Sequence, residues 1–195
     1  MRVSVRWTGW VFVLAGGLLV ISTKVSASLF EPVSDGQLVC EATDVIQGQV
    51  TDVTTSWDEQ RTAIWTTAAV QVGEVIRGQL SPGSVIRVKE VGGTVDDYTI
   101  KADGFPTFQS GEEVVMLLQP WEDDPAIYRV WGYGRGMFVV DRAGGGEATG
   151  RRHDVVEAGH PTQHVDRIPP TLVLGALHQQ LRGLARGCPP TQRGR

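Results

Sequence analysis

The sequence predicts a mainly β fold, a small antiparallel barrel or sandwich, followed by one C-terminal α-helix. Three observations predict it. Several short runs alternate apolar and polar residues with a period of two. Turns rich in Gly and Pro separate those runs, with no helical stretch between them. A helical stripe, Leu174, Leu177, Leu181 and Leu184, appears only after Pro169-Pro170.

Taken in order, Arg2 and Arg6 precede an apolar run from Val11 to Ile21, and Val25-Ser26-Ala27 supplies small residues suited to a signal-peptidase cut. Residues 1–27 are therefore expected to be a removed signal peptide, and the protein to be exported to the periplasm or the extracellular space. The competing reading is an uncleaved anchor. Even counted from Trp7, however, the run to Ile21 falls short of the ~20 residues that span a bilayer. Cys40 lies too far beyond the run to be a lipoprotein cysteine, and no second membrane-span candidate follows, so no stable span is expected after cleavage.

Residues 28–142 carry the predicted strands. In "DVIQGQVTDV", Ile46, Gly48 and Val50 alternate with Gln47, Gln49 and Thr51. In "RTAIWTTAAVQV", Ile64, Ala68, Val70 and Val72 share one parity, but Val75 sits on the other, so the phase slips at Gly73. One extra residue in a strand is a β-bulge, and a bulge supplies the bend that wraps a sheet. "SVIRVKEV" resumes the alternation after the Ser81-Pro82-Gly83 turn. A loop, "GGTVDDYTIKADGFPTF", follows, then the nearly continuous apolar strand "EEVVMLLQP" and two more short strands in "AIYRVWGYGRGMFVVD".

Past Asp141, residues 143–168 read as a linker or irregular loop. Residues 169–187 read as an amphipathic helix with Thr171 as N-cap, and 188–195 as a basic tail. The helix is expected to pack back on its own domain, with a protein or membrane surface as the alternative.

Charge narrows the function classes. Residues 28–141 hold 7 Lys plus Arg against 18 Asp plus Glu, net −11, and residues 142–195 hold 8 against 4, net +4. An acidic body repels phosphates, so no nucleic-acid partner is expected. Cys40 and Cys188 are the only cysteines. An oxidising compartment permits a disulfide between them that would constrain the unfolded chain by about 4 to 5 kcal/mol. The sequence leaves open whether they approach closely enough to bridge.

Enzyme signatures are missing. The chain has no G-x-S-x-G, P-loop or dinucleotide glycine pattern, and residues 28–141 contain no histidine. The adjacent carboxylates Asp96-Asp97, Glu112-Glu113 and Glu122-Asp123-Asp124 read as solubilising turn residues rather than acid/base pairs. His160 and His164 in "HPTQH" have a spacing that could face zinc from a helix, but Pro161 between them and the lack of further ligands argue against it. No catalytic residue, cofactor or metal is expected. The aromatic residues Trp121, Tyr128, Trp131 and Tyr133 around the terminal hairpin form a candidate binding surface, the alternative being that their rings fill the fold.

The order "ATDVIQGQVTDVTTSWDE…IWTTAAVQVGEVIRGQLSPGSVIRVKEVGGTV…FPTFQSGEEVVMLLQP…YRVWGYGRGMFVVD", over about residues 42 to 141, resembles a group of exported bacterial proteins of unassigned function. Its layout also resembles the netrin-like modules of tissue inhibitors of metalloproteases. That resemblance implies an OB-like β-barrel and, as partner, a protein such as an extracytoplasmic protease. Such inhibitors chelate zinc through a cysteine at the mature N-terminus, whereas the expected cut here leaves Cys40 inside the chain. The expected function is a non-enzymatic module that binds another protein, as a protease inhibitor or accessory. A structural or carbohydrate-binding envelope module is the alternative, and a hydrolase the third reading.

Overall fold

The computed structural model describes residues 33–142, 148–153 and 168–189. The expected signal peptide, the histidine pair His160 and His164, and the arginines of the basic tail lie outside the described residues. The described residues open with a helix that the sequence reading did not anticipate, α1 (Asp35–Glu41). Strands β1 (Asp44–Trp57), β2 (Ile64–Arg77) and β3 (Val85–Val91) follow as a meander. A small hairpin, β4 (Gly93–Val95) and β5 (Tyr98–Ile100), interrupts the loop expected to be irregular. Then come β6 (Glu113–Pro120), β7 (Ile127–Val130), a 3-10 turn at Tyr133–Gly136, β8 (Met137–Asp141), β9 (Thr149–Arg152), β10 (Thr171–Val173) and α2 (Leu174–Arg186).

The large sheet has eight strands in the order β1-β2-β3-β7-β6-β8-β9-β10, and β1 also pairs with β6. All its pairings are antiparallel except β3 with β7, which run parallel through Arg87–Ile127 and Val88–Tyr128. The expectation of a purely antiparallel sheet is corrected there. The long connection through β4, β5 and β6 brings β7 back to β3 in the same direction.

The β1–β2 ladder contains three register shifts. Gly73 is the residue passed over between the Gly48–Val72 and Gln47–Glu74 pairs, at the phase slip visible in the sequence. Ile76 and Thr51 are the other two, and together they bend the long hairpin so that β1 meets β2 on one side and β6 on the other. A Cβ on Gly48 would lie 2.6 Å from the Gln71 carbonyl oxygen, so the bend requires a residue without a side chain at that point.

Two apolar clusters lie on opposite faces of the sheet. Ile46, Val70, Val88, Met116, Leu118 and Met137 belong to the first. Val45, Val115, Leu117, Phe138, Leu177 and Leu181 belong to the second, beneath the two helices. Strand β6 serves both, with Val114, Met116 and Leu118 on one face and Val115 and Leu117 on the other. Burial on both faces explains why its sequence is continuously apolar rather than alternating.

Two boundaries differ from the sequence reading. The expected linker 143–168 contains β9, which pairs with β8 and β10. Its "TGRR" sequence has no apolar alternation because Gly150 lies under Leu177 and Arg152 is held by Asp35. The helix begins at Leu174, not near Pro169, and Thr171 is a strand residue opposite Arg151 rather than the N-cap. The cap position belongs to Val173, which makes no side-chain cap bond; the first turn is anchored instead by the Leu174 N–H donating to the Ala148 carbonyl at 2.7 Å. The leucine stripe of α2 faces the second cluster, where Leu177 and Leu181 are fully buried.

A disulfide joins Cys40 at the end of α1 to Cys188 just after α2, with a Cα–Cα distance of 5.1 Å. Asp44, fully buried, fixes the turn after β2 by accepting the Gln79 and Leu80 N–H groups at 2.7 and 3.1 Å.

Candidate functional site

A band of cationic and tryptophan side chains crosses the outer face of β2, β3, β7 and β6. Parity puts it there. In β2, Ala68 and Val70 point into the first cluster, so Trp65 lies on the opposite face. In β3, Ile86, Val88 and Glu90 point inward and Lys89 outward; in β7, Val130 points inward and Arg129 outward. Lys89 Nζ sits 4.8 Å from the Trp65 ring centroid. Trp65 meets Trp121 edge to face at 5.7 Å. The Arg129 guanidinium lies between Trp121 and Trp131, 5.4 and 5.2 Å from their rings.

Hydrogen bonds fix the orientation of the rings. The Trp121 indole donates to the Lys89 carbonyl at 3.3 Å, and the Trp131 indole donates to Glu41 Oε2 at 3.1 Å. Arg129 donates to Gln119 Oε1 at 3.4 Å, and Gln119 in turn donates to the Glu41 carbonyl at 2.8 Å. The band thus runs from Lys89 to Glu41, with three half-buried indoles and one half-buried guanidinium between them. Trp, Tyr and Arg are the residues most enriched among side chains that dominate binding energy, because each combines a large apolar area with a polar tip.

The structure brings together Trp121 and Trp131, two of the four aromatic residues singled out from the sequence. Trp121 and Trp131 are bridged by Arg129. Tyr128 packs partly into the first cluster. Tyr133 has a positive φ of 58° and stacks edge to face on Phe105 at 4.8 Å. The sequence reading missed Arg129, Lys89 and Trp65 as band members. The strand parities that place Lys89 and Trp65 outward were legible, but the parallel β3–β7 pairing that brings β7 alongside β3 was not.

Beneath the band lies Glu90, 3% exposed, on the inner face of β3. Past Val88, β3 and β7 are no longer paired, and Glu90 Oε1 fills the gap by accepting the Val130 N–H at 2.5 Å. Burial pushes its carboxyl up to about 7, against the opposing pull of the Val130 N–H and the Arg129 charge.

Three carboxylates of the acidic runs have partners of their own. Glu113 is bound by Arg142, and Glu112 accepts the Gln109 N–H at 3.0 Å. Asp124 accepts the Ala126 N–H at 3.0 Å within the turn before β7. His153 contacts Thr107, and His178 lies 3.4 Å from Glu74. Among the described residues no three His, Cys, Asp or Glu side chains converge in a way that could hold a metal ion, and no helix is long and apolar enough to cross a membrane. No family model matches the chain, and no curated protein matches it significantly.

Proposed function

We propose that the protein is an exported, non-enzymatic, OB-like β-barrel module that binds another protein through the band formed by Trp65, Trp121, Arg129 and Trp131. The barrel reading draws support from the circuit of pairings, β1-β2-β3-β7-β6 with a return to β1, a five-stranded ring of the kind small barrels use. The export reading is supported by the leader pattern in residues 1–27 and by the Cys40–Cys188 disulfide, which suits an oxidising compartment.

The observation that carries the binding reading is the Arg129 guanidinium held between two half-buried indoles on an outer sheet face. This arrangement favours a protein over a glycan. Sugar rings stack on free aromatic faces, and here a cation already lies over the rings of Trp65, Trp121 and Trp131. An extracytoplasmic protease is the partner class suggested by the netrin-like resemblance, acting on an edge other than a zinc-chelating N-terminus. Affinity capture from envelope and culture fluid, with Arg129→Ala run beside the wild type, tests the reading. A stoichiometric protein retained by the wild type and lost with the variant is the expected result. Equal retention by both, or retention on glycan matrices alone, refutes it.

A further inference from the structure

A second surface, independent of the aromatic band, lies along the distal half of β1. Strand β6 covers the outer edge of β1 only from Asp44 to Gln49. Just beyond, Val50 exchanges bonds with Glu112 and Gly111, and Ser110 Oγ caps the Thr51 carbonyl at 3.1 Å. Phe108 then turns into the first cluster and takes the chain away from the edge. From Val53 to Trp57 β1 pairs only with β2 among the described residues.

The direction of the free groups follows from the ladder. The Asp58 N–H donates to the Ala63 carbonyl at 2.9 Å, which marks that pair as hydrogen-bonded. Antiparallel alternation then assigns the bonds to Ser56–Trp65, Thr54–Thr67 and Asp52–Ala69, and points the N–H and C=O groups of Val53, Thr55 and Trp57 outward. Natural edges are blunted by Pro, Lys, inward charges or bulges. Between Val53 and Trp57 there is no proline, no charge and no register shift. The strand is also held in place from one face, since Thr55 Oγ1 donates to the Thr94 carbonyl at 2.6 Å and Trp57 meets Tyr98 at 5.7 Å. An edge ordered in advance loses little entropy when a partner strand adds.

Charge selects the occupant. Asp52 and Asp58 bracket the open stretch, Glu59 follows, and Arg61 is the one cation in the turn. A second copy pairing about Thr55, the longest self-register, would set Asp52 against Asp58 of the copy twice over, and like charges directly opposite one another destabilise a ladder. We propose that the Val53–Trp57 edge accepts an extended segment of another polypeptide, running antiparallel to β1 in line with β6, with Lys or Arg flanking a β-branched or hydroxyl-bearing centre.

The test is amide hydrogen exchange of the full chain with and without a synthetic peptide, Lys-Val-Thr-Val-Thr-Val-Lys. Slowed exchange at Val53, Thr55 and Trp57, and weakening of about tenfold or more by N-methylation of alternate peptide nitrogens or by Thr55→Pro, is the expected result. N-methylation keeps the test valid if Thr55→Pro fails to fold. Asp52→Lys is expected to weaken binding by about two- to fivefold. No slowing with the peptide, equal binding of its N-methylated form, or equal binding of an Asp-flanked peptide overturns the proposal. So does slow exchange at these three amides in the protein alone, which would mean that its own chain or a second copy already fills the edge.

Discussion

Of the three buried carboxylates among the described residues, Asp35 and Glu90 sit on opposite faces of one sheet and are stabilised in opposite ways. Asp35, 3% exposed at the start of α1, faces two guanidiniums: Arg152 donates to both of its oxygens, at 3.1 and 2.6 Å, and Arg135 to one at 3.0 Å. The Ile168 N–H adds a fourth bond at 2.5 Å. Burial raises its pKa, but the Arg152 hydrogen bond and charge, the Ile168 N–H and the Arg135 charge outweigh that and hold it below the usual carboxylate range. Glu90, on the other face, has one backbone N–H and a more distant Arg129 to set against its burial, and its pKa rises instead. Burial is common to both; what decides the sign is how many donors converge on the charge.

The difference has a structural meaning. Asp35 ties α1 to the 3-10 turn, to β9 and to Ile168, so the charge network holds together parts of the chain that are distant in sequence, on the face the disulfide also crosses. Glu90 fills a gap between two diverging strands. The helical face adds polar and covalent links to its own apolar cluster, whereas the other face packs mainly through the first cluster.

Removing the covalent link breaks the comparison hardest. Reduction of Cys40–Cys188, a closure spanning 148 residues, is expected to lower stability by about 5 kcal/mol, read as the shift in a urea unfolding curve. Next comes Asp35→Ala, which removes the carboxylate that Arg135 and Arg152 share and is expected to cost about 3 to 5 kcal/mol at pH 7. Because the Asp35 pKa is lowered on folding, the wild type holds this contribution above the unfolded value of 3.8 and loses it as pH falls through the lower folded value.

Glu90→Gln sharpens the contrast with the opposite sign. Glu90 titrates near 4.5 when unfolded and about 7 when folded, so the folded state is progressively penalised as pH rises between those values. Glutamine keeps an acceptor for the Val130 N–H without the charge. The variant is expected to match the wild type near pH 4 and to exceed it at pH 8 by at most about 3 kcal/mol, measured by urea unfolding at the two pH values.

Much of the strand framework was legible because period-two alternation, the Gly73 phase slip and the Ser-Pro-Gly turn are all local signals. What stayed hidden depends on distant partners. β9 has no apolar alternation and exists through its pairing with β8 and β10. Thr171–Val173 is helix-like in a sequence window but is drawn into the sheet. α1 was readable in principle, since Ser34 and Gln37 have the S-x-x-Q spacing of a capping box and Ser34 Oγ does accept the Gln37 N–H at 3.0 Å. As for the candidate site, the sequence pointed to Trp121 and Trp131, while Arg129 between them emerges only when β7 is set beside β3 and β6.

Oxidative footprinting of the tryptophans, with and without a captured partner, tests the binding account most directly. Protection of Trp65, Trp121 and Trp131 with Trp57 left reactive is the predicted result. Unchanged oxidation of those three indoles in a complex shown to be stoichiometric would contradict it.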